Sequence, residues 1–160
     1  MIIGSRIDGR LIHGQVANLW GSKLQLDRFI VIDDKVSESD VEKSGLRLAT
    51  PASMRLSVLP IDRAAKQLKE DRYKSQRVML VAKNPQVYLE LVDKGVAIDK
   101  INVGNMSQTD QTRSITNSIN VTDEDVEVFK ELKDKGIQLT AQMVPNDNAK
   151  DFMKLLKEES

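Results

Sequence analysis

The segment Arg6–Gln15 holds the side chains whose types and spacing could do chemistry. It contains Arg6, Asp8, Arg10 and His13, and His13 is the only histidine of the chain. A histidine that is largely uncharged near neutral pH is a nucleophile able to attack phosphorus. Two guanidiniums beside it would share the charge of a bound phosphoryl group through charge-assisted hydrogen bonds. The pattern indicates a loop that binds an anion or accepts a phosphoryl group.

The position of this loop supports the same chemistry. The run Ile2–Ile7 predicts a strand, and apolar residues at helical spacing predict a helix over Gln15–Leu24. The first turn of a helix leaves backbone amides without partners, and its dipole favours negative charge. We therefore expect the amides of Gly14 and Gln15 to contribute to the anion site. Gly9 and Gly14 would let the backbone approach a phosphate closely.

The residues alone also allow a plainer interpretation of the loop. A single histidine in a loop is often a surface or capping residue, and an Arg–Asp–Arg cluster is often a surface ion-pair network of little energetic value. The glycine spacing matches neither a Walker A loop nor a dinucleotide-binding fingerprint. From residue types and spacing, both interpretations stay open.

Each of the carboxylates in or near this loop allows two interpretations. Asp8 would hydrogen-bond His13 or hold Arg6 and Arg10 in place. Asp33 and Asp34 follow a predicted strand and would orient Arg10 or the imidazole, or else act as solvated turn residues.

Composition excludes several classes of protein. The 160 residues include no cysteine, which rules out disulfides, thiolate nucleophiles and cysteine-based metal sites. With one histidine and no calcium-loop spacing, we expect neither a metal nor a cofactor. The 24 basic and 24 acidic residues give a net charge of zero, which argues against nucleic acid as a partner. No apolar run reaches the length of a membrane span, and we expect a cytoplasmic protein that meets a membrane only through partner subunits.

Alternating strand and helix patterns predict the fold class. We expect one α/β domain over residues 1–160, a doubly wound and mostly parallel sheet with helices on both faces. Ser37-x-x-Asp40 resembles a capping box and predicts a helix from Ser37 to before Pro51. Ile115–Ile119 is a candidate edge strand, and Trp20 is expected in the core or in a subunit contact. The remaining predicted strands are 29–32, 56–59, 78–82, 101–103 and 139–144, and the remaining helices are 64–69, 85–94, the segment from the Thr122 cap to Gly136, and 149–157.

The string R-I-D-G-R-L-I-H-G-Q-V at Arg6–Val16 resembles the active-site signature of the enzyme IIB subunits of the mannose/sorbose family of the sugar phosphotransferase system. That signature usually reads R-I-D-D-R-L/F-I-H-G-Q. The resemblance runs along the whole chain, and its other matching segments are 31–34, 83–85, 101–106 and 144–147. Two residues depart from it, Gly9 where a second acid is common and Asn105 where glycine is frequent. The first departure is expected to loosen the loop and to remove a negative charge.

The resemblance implies a phosphoryl relay. His13 would be phosphorylated, at Nδ1, by a phosphohistidine on an enzyme IIA partner, with Arg6 beside the phosphate. The phosphoryl group would then pass to a sugar entering through membrane subunits IIC and IID. The sugar stays open among mannose, fructose, sorbose and N-acetyl-hexosamines, and so does the oligomeric state, a homo-oligomer included.

Two other classes of function stay in play beside the carrier. One is a phosphatase- or mutase-like enzyme that uses a phosphohistidine, which would normally need a second acid–base group. The other is a non-catalytic binding or regulatory module descended from the carrier.

Overall fold

A computed structural model describes residues 1–159 of the chain. Its strands are β1 (Ile2–Asp8), β2 (Arg28–Ile32), β3 (Arg55–Leu59), β4 (Val78–Ala82), β5 (Lys100–Asn105), β6 (Arg113–Ser114), β7 (Asn120–Val121), β8 (Gln138–Ala141) and β9 (Lys150–Asp151). Its helices are α1 (Gly14–Leu24), α2 (Asp40–Ala49), α3 (Ile61–Lys69), α4 (Pro85–Asp93), α5 (Asp123–Asp134) and α6 (Phe152–Glu158). A single 3₁₀ turn, Val36–Glu38, precedes α2.

The main sheet has seven strands in the order β3-β2-β4-β1-β5-β8-β9. All neighbouring pairs are parallel except β8 and β9, which run antiparallel. β1 occupies the middle of the sheet, so the loop that follows it opens at the centre of the carboxyl edge. Ligand sites of open α/β sheets lie at this edge.

Side chains of alternate strand residues enter two separate cores. Phe29 and Val31 pack with Trp20 of α1 and Leu46 of α2 on one face of the sheet. Ile30 and Ile32 belong to the other face, which is covered by apolar side chains of α3 to α6. Burial on both faces explains why these strands are continuous apolar runs rather than alternating ones. The predicted fold class, a mostly parallel sheet with helices on both faces, is confirmed.

Two helices begin with side-chain caps, of which the Thr122 cap was predicted above. The Asn84 side chain accepts a hydrogen bond from the Val87 amide, with Pro85 at the first helical position of α4. Thr122 and Asp125 form a reciprocal capping box at the start of α5. Both motifs satisfy amides that the first turn of a helix leaves unpaired.

The predicted start of the second helix is wrong. Ser39, rather than Ser37, caps α2, because its side chain accepts from the Glu42 amide. The Ser37 hydroxyl instead donates to the Asp34 carbonyl oxygen and lies within the 3₁₀ turn. Two serines two residues apart offer competing caps, and the intervening turn shifts the helix to the second one.

The predicted edge strand at Ile115–Ile119 is also wrong. These residues form the tight connection between β6 and β7, in which the Ile115 amide donates to the Ile119 carbonyl oxygen. Both isoleucines are buried in the core that α3 to α6 cover. Their apolar character reflects that burial and not membership of the main sheet. Near the carboxyl end, β8 stops at Ala141, and the short strand β9 precedes α6, which starts at Phe152.

Within residues 1–159, no helix combines the length and the apolar character that crossing a membrane requires.

Candidate functional site

A turn fixed by Asp8 connects β1 to α1. The Asp8 carbonyl oxygen accepts from the Leu11 amide at 2.9 Å, and its carboxylate oxygen Oδ1 accepts from the Arg10 amide at 2.9 Å. Leu11 has a φ of +61° while its side chain is buried in the core beside α1. A non-glycine residue adopts this conformation at some cost, so the buried Leu11 anchor and the Asp8 bonds together determine the path of the loop.

His13 is the N-cap residue of α1. Its backbone is extended, its side chain makes no capping hydrogen bond, and it is exposed. The first-turn amides of α1, which include those of Gly14 and Gln15, therefore receive no acceptor from the residue that usually supplies one. This places an exposed imidazole beside a helix terminus that favours negative charge.

Arg6 lies beneath the loop, with its side chain only 3% exposed. Its guanidinium donates to Asn102 Oδ1 at 2.5 Å, to the Gln142 carbonyl oxygen at 3.1 Å and to Asp8 Oδ2 at 3.2 Å. The guanidinium carbon also lies 5.5 Å from the centre of the Trp20 ring. Desolvation lowers the pKa of Arg6, and the neighbouring Asp8 carboxylate partly offsets this effect.

Gly104 makes the position of Arg6 possible. A Cβ atom at residue 104 would lie within van der Waals overlap of the Arg6 guanidinium, 2.1 Å from its Nη2 atom. Any other residue here would displace the arginine side chain, because real Cβ atoms do not approach so closely. Gly104 thus contributes through close approach, not through an unusual backbone conformation.

Arg10 is the more accessible of the two arginines. Its side chain is 40% exposed, and its Nε atom lies 3.6 Å from Asp8 Oδ1. Its Nη2 atom also approaches the sulfur of Met143 at 3.9 Å. Sequence reasoning gave Arg6 and Arg10 the same role, and the structure shows that they differ in exposure, since Arg6 is buried beneath the loop and Arg10 is partly exposed.

Asp8 joins the two arginines and is 1% exposed. Of the two roles considered for it, the structure shows the one in which it holds Arg6 and Arg10. Within residues 1–159, its carboxylate makes no hydrogen bond to His13. Arg6, Asp8 and His13 nevertheless line one small crevice under the loop, together with side chains of α1.

Asp33 and Asp34 have structural partners of their own. Asp33 Oδ1 accepts from the Val36 amide at 2.9 Å, and Asp33 Oδ2 lies 3.9 Å from Lys83 Nζ. Asp34 Oδ1 accepts from the Ile61 amide at the start of α3. The expectation that they orient Arg10 or the imidazole finds no hydrogen bond or ion pair among residues 1–159 to support it. The amides of Val36 and Ile61 occupy these carboxylates instead, one from the adjacent turn and the other from the start of α3.

The two departures from the family signature touch each other. The Gly9 amide donates to the Asn105 carbonyl oxygen at 2.9 Å. A Cβ at Gly9 would lie 2.7 Å from Ser107 Oγ and 3.3 Å from Asn105 Oδ1. Gly9 is thus hydrogen-bonded to the end of β5, and the expected loosening of the loop stays a prediction. Ser107 and Asn105 fill the space that a side chain at residue 9 would need.

Sequence reasoning missed the residues that surround the Arg6 side chain but lie far from it in the sequence. Asn102, Gly104 and Gln142 come from β5 and the end of β8, and the Met143 carbonyl oxygen accepts from Trp20 Nε1 at 3.0 Å. Asn102 and Gly104 fall in the segment 101–106 that matches the family, which is their sequence signal, whereas the signal of Gln142 is only its position directly after a strand. Among residues 1–159, no group of three or more His, Asp or Glu side chains is arranged to hold a metal ion.

Comparison with known proteins places this site in a family. A family model described as the PTS system sorbose subfamily IIB component matches residues 2–160. The fructose-specific EIIB component of Bacillus subtilis (strain 168) is 33% identical over 156 residues, covering 98% of this chain and 96% of that protein. The mannose-specific EIIAB component of Escherichia coli (strain K12) is 35% identical over 157 residues, which are 98% of this chain but 49% of that longer protein.

A solved structure has the same fold. The IIBSor domain of the sorbose permease from Klebsiella pneumoniae superposes with a TM-score of 0.95 at 29% sequence identity, over 100% of this chain and 98% of that one. The family match, the relatives and this structure agree with the resemblance seen in the loop sequence. The chain belongs to the sorbose subfamily of IIB components of the sugar phosphotransferase system.

Proposed function

We propose that this IIB component is a phosphocarrier that receives a phosphoryl group on His13 from a phosphohistidine of an enzyme IIA partner. It then passes the group to a sugar that enters through membrane subunits IIC and IID. The observation that carries the proposal is His13 itself. It is the only histidine, it is exposed, and it occupies the N-cap of α1 without capping the helix.

Each transfer moves phosphorus between two nucleophiles. In the first, the lone pair of His13 Nδ1 (the nitrogen that the family resemblance implies) forms a bond to phosphorus. The N–P bond of the donor breaks, and its electron pair returns to the donor imidazole. In the second, a sugar hydroxyl oxygen attacks phosphorus, the His13 N–P bond breaks, and the hydroxyl proton is released as the imidazole is regenerated. Positioning and fixed charge suffice for both steps.

Arg10 and the first-turn amides of α1 would receive the transferring group. The Arg10 guanidinium is accessible and adjacent to the loop, and the amides of Gly14 and Gln15 point toward the end of the helix where anions bind. Hydrogen bonds to a charged group are each worth roughly 1.5–3 kcal/mol. A few such contacts stabilise a labile phosphohistidine without a metal.

Arg6 and Asp8 would act from beneath the loop, by holding it in position. Arg6 is enclosed by protein acceptors and supplies a fixed positive charge under the loop, while Asp8 holds the turn and pairs with the Arg10 side chain. The low polarity of a buried site increases the effect of such fixed charges. Both residues are therefore assigned to preorganisation rather than to direct contact with phosphorus.

The names of relatives support the partners. One relative is an EIIAB component, a name that combines the A and B functions in a single protein, and others are named for fructose, sorbose or mannose. A IIA donor and a sugar acceptor are consistent with these names. The carrier would act on the cytoplasmic side, close to the membrane through IIC and IID.

Labelling with phosphoenolpyruvate tests the proposal. The protein is incubated with the general phosphotransferase components, a IIA partner and ³²P-labelled phosphoenolpyruvate. We expect one acid-labile, base-stable label in the wild type and none in His13→Ala. Because the His13 side chain is exposed and makes no capping bond, His13→Ala should unfold at nearly the wild-type temperature. Label that persists in a folded His13→Ala variant would refute the assignment.

A second assay separates a carrier from a soluble enzyme. The lifetime of the phosphorylated protein is measured with each candidate hexose, in the absence and presence of membranes that contain IIC and IID. We expect the sugar to discharge the label only with the membranes. Rapid discharge by free sugar would favour a soluble phosphotransfer enzyme instead.

A further inference from the structure

The charged cluster beneath His13 keeps an uncompensated positive charge. Arg6 and Arg10 share the single carboxylate of Asp8. Two guanidiniums and one carboxylate leave the cluster one unit positive. Asn102 is the remaining side chain that gives Arg6 an oxygen acceptor, and it does so without a charge.

Only one of the two polar atoms of the Asn102 side-chain amide has a hydrogen-bond partner. Its Oδ1 atom accepts from Arg6 Nη1, while its Nδ2 atom is buried and has no hydrogen-bond partner within residues 1–159. Reversing the amide would bring Nδ2 against the Arg6 donors, so the guanidinium dictates this orientation. A buried donor without a partner is unfavourable, which calls for an explanation.

An aspartate at residue 102 would appear to suit Arg6 better. It has nearly the same shape as asparagine, it would keep the oxygen that Arg6 binds, and it would remove the unpaired donor. Charge-assisted pairs are also stronger than neutral hydrogen bonds. The drawback of an aspartate is electrostatic, because a second carboxylate would cancel the remaining positive charge of the cluster.

We infer that Asn102 sets the net charge of the His13 site, holding Arg6 through a neutral oxygen so that the cluster stays positive for the phosphoryl group. The inference rests on the proposed phosphocarrier function. A phosphoryl group on histidine brings close to two negative charges, which a neutral cluster would attract much less than a positive one.

The backbone places Asn102 directly beside Arg6. Parallel pairing of β1 with β5 sets Arg6 directly opposite Asn102, and Gly104, two residues on, leaves room for the guanidinium to reach it. Asn102 acts through Arg6 and not on phosphorus, so it is a positioning residue whose neutrality is the functional property.

The test measures phosphoryl distribution and folding separately. Phosphorylated IIA is mixed with wild type, Asn102→Asp, Asn102→Leu and Gln138→Glu, and the equilibrium between the two phosphoproteins is read from ³²P label. Gln138 is exposed on the amino-end side of β8, so Gln138→Glu adds the same charge at the opposite edge of the sheet. Thermal unfolding of each unphosphorylated variant is recorded in parallel.

We expect Asn102→Asp to unfold at or above the wild-type temperature while its phosphorylation equilibrium constant falls about tenfold, as expected for a unit charge acting across a protein interior. Asn102→Leu keeps the charge of the cluster and should be less stable than wild type. Its phosphorylation equilibrium constant should stay within about threefold of the wild-type value, because leucine adds no charge. Gln138→Glu should match wild type in both measurements.

Three results would overturn the inference. They are an Asn102→Asp variant that accepts phosphate like wild type, an Asn102→Leu variant that loses as much as Asn102→Asp, and an Asn102→Asp variant that does not fold. A wild-type protein that takes no label at all would instead overturn the proposed function, which is how the two failures are distinguished.

Discussion

At the carboxyl edge of the sheet, β1 and β2 are each followed by a loop with an acidic residue at the strand end, and the two acidic residues have opposite partners. In the loop after β2, Asp33 and Asp34 accept from the amides of Val36 and Ile61, so the turn and the start of α3 are satisfied by carboxylates. In the loop after β1, Asp8 binds arginines, and the helix that follows begins at His13 without a side-chain cap.

The difference indicates what would leave an anion site open after β1. A carboxylate at the start of a helix occupies the place that an anion would take and satisfies the same amides. A histidine at the N-cap position that makes no capping hydrogen bond would keep those amides available and would add a nucleophile. The carboxylate after β1 is buried and neutralised by arginine, so it does not repel an incoming phosphoryl group.

The two loops also differ in their ion pairs, which gives the largest expected effect on stability. Arg6→Ala should lower the free energy of unfolding by about 3–5 kcal/mol, because it leaves Asp8 buried without its closest charged partner. Lys83→Ala should change it by about 0–1 kcal/mol, because its pair with Asp33 is long and solvated. Chemical denaturation measures both. Equal losses would erase the distinction between the loops.

Arg10→Ala should slow phosphoryl transfer from IIA by roughly 10²–10³-fold, because it removes an accessible charge beside the transferring group. Arg10→Lys should recover only part of the rate, since a planar fork of donors becomes a point charge. Rapid-quench kinetics with labelled IIA gives the rates, and Lys83→Ala, which removes the cation paired with Asp33 of the other loop, is the control. A folded Arg10→Ala variant with a wild-type rate would show that the accessible arginine has no role in transfer.

Gly104→Ala should destabilise the protein by about 1–3 kcal/mol, because its methyl group overlaps the Arg6 guanidinium in a packed region. Gly45→Ala is the matched control, since nothing lies within 4 Å of its Cβ position and alanine favours the middle of a helix. That variant should be stabilised by about 0.5–1 kcal/mol. If both variants shift the unfolding midpoint in the same direction, Arg6 does not depend on Gly104.

The smallest effect concerns the other loop. Asp34→Ala should cost about 1 kcal/mol, because the Ile61 amide loses its acceptor at the start of α3. The rate of transfer to His13 should stay at the wild-type value. A clear loss of transfer in a stable Asp34→Ala variant would mean that both loops serve the site.

Much of this arrangement follows from the sequence. Continuous apolar runs such as Val78–Ala82 predict strands because both faces of the sheet are covered. The strand-to-helix boundary then places His13 at the helix start, where the structure has it. Helix starts with one candidate cap, such as Thr122, were also predictable, whereas Ser37 and Ser39 compete and only the folded turn decides between them.

The different environments of the two arginines could not be predicted. Arg6 and Arg10 have the same chemistry, and they differ because Arg6 meets Asn102 and Gln142, which lie 96 and 136 residues later in the chain. Contacts of that range depend on the packing of β5 and β8 beside β1. Similarly, Asp33 and Asp34 look like orienting groups until the amides that they accept from are located.

Amide chemical shifts of the phosphorylated protein test the central claim most directly. Two-dimensional ¹H–¹⁵N NMR spectra are compared before and after phosphorylation by labelled IIA. We predict the largest changes at the amides of Gly14 and Gln15, and little change at Val36 and Ile61, whose amides are already bonded to Asp33 and Asp34. Changes centred on Val36 or Ile61, with Gly14 and Gln15 unmoved, would contradict the account.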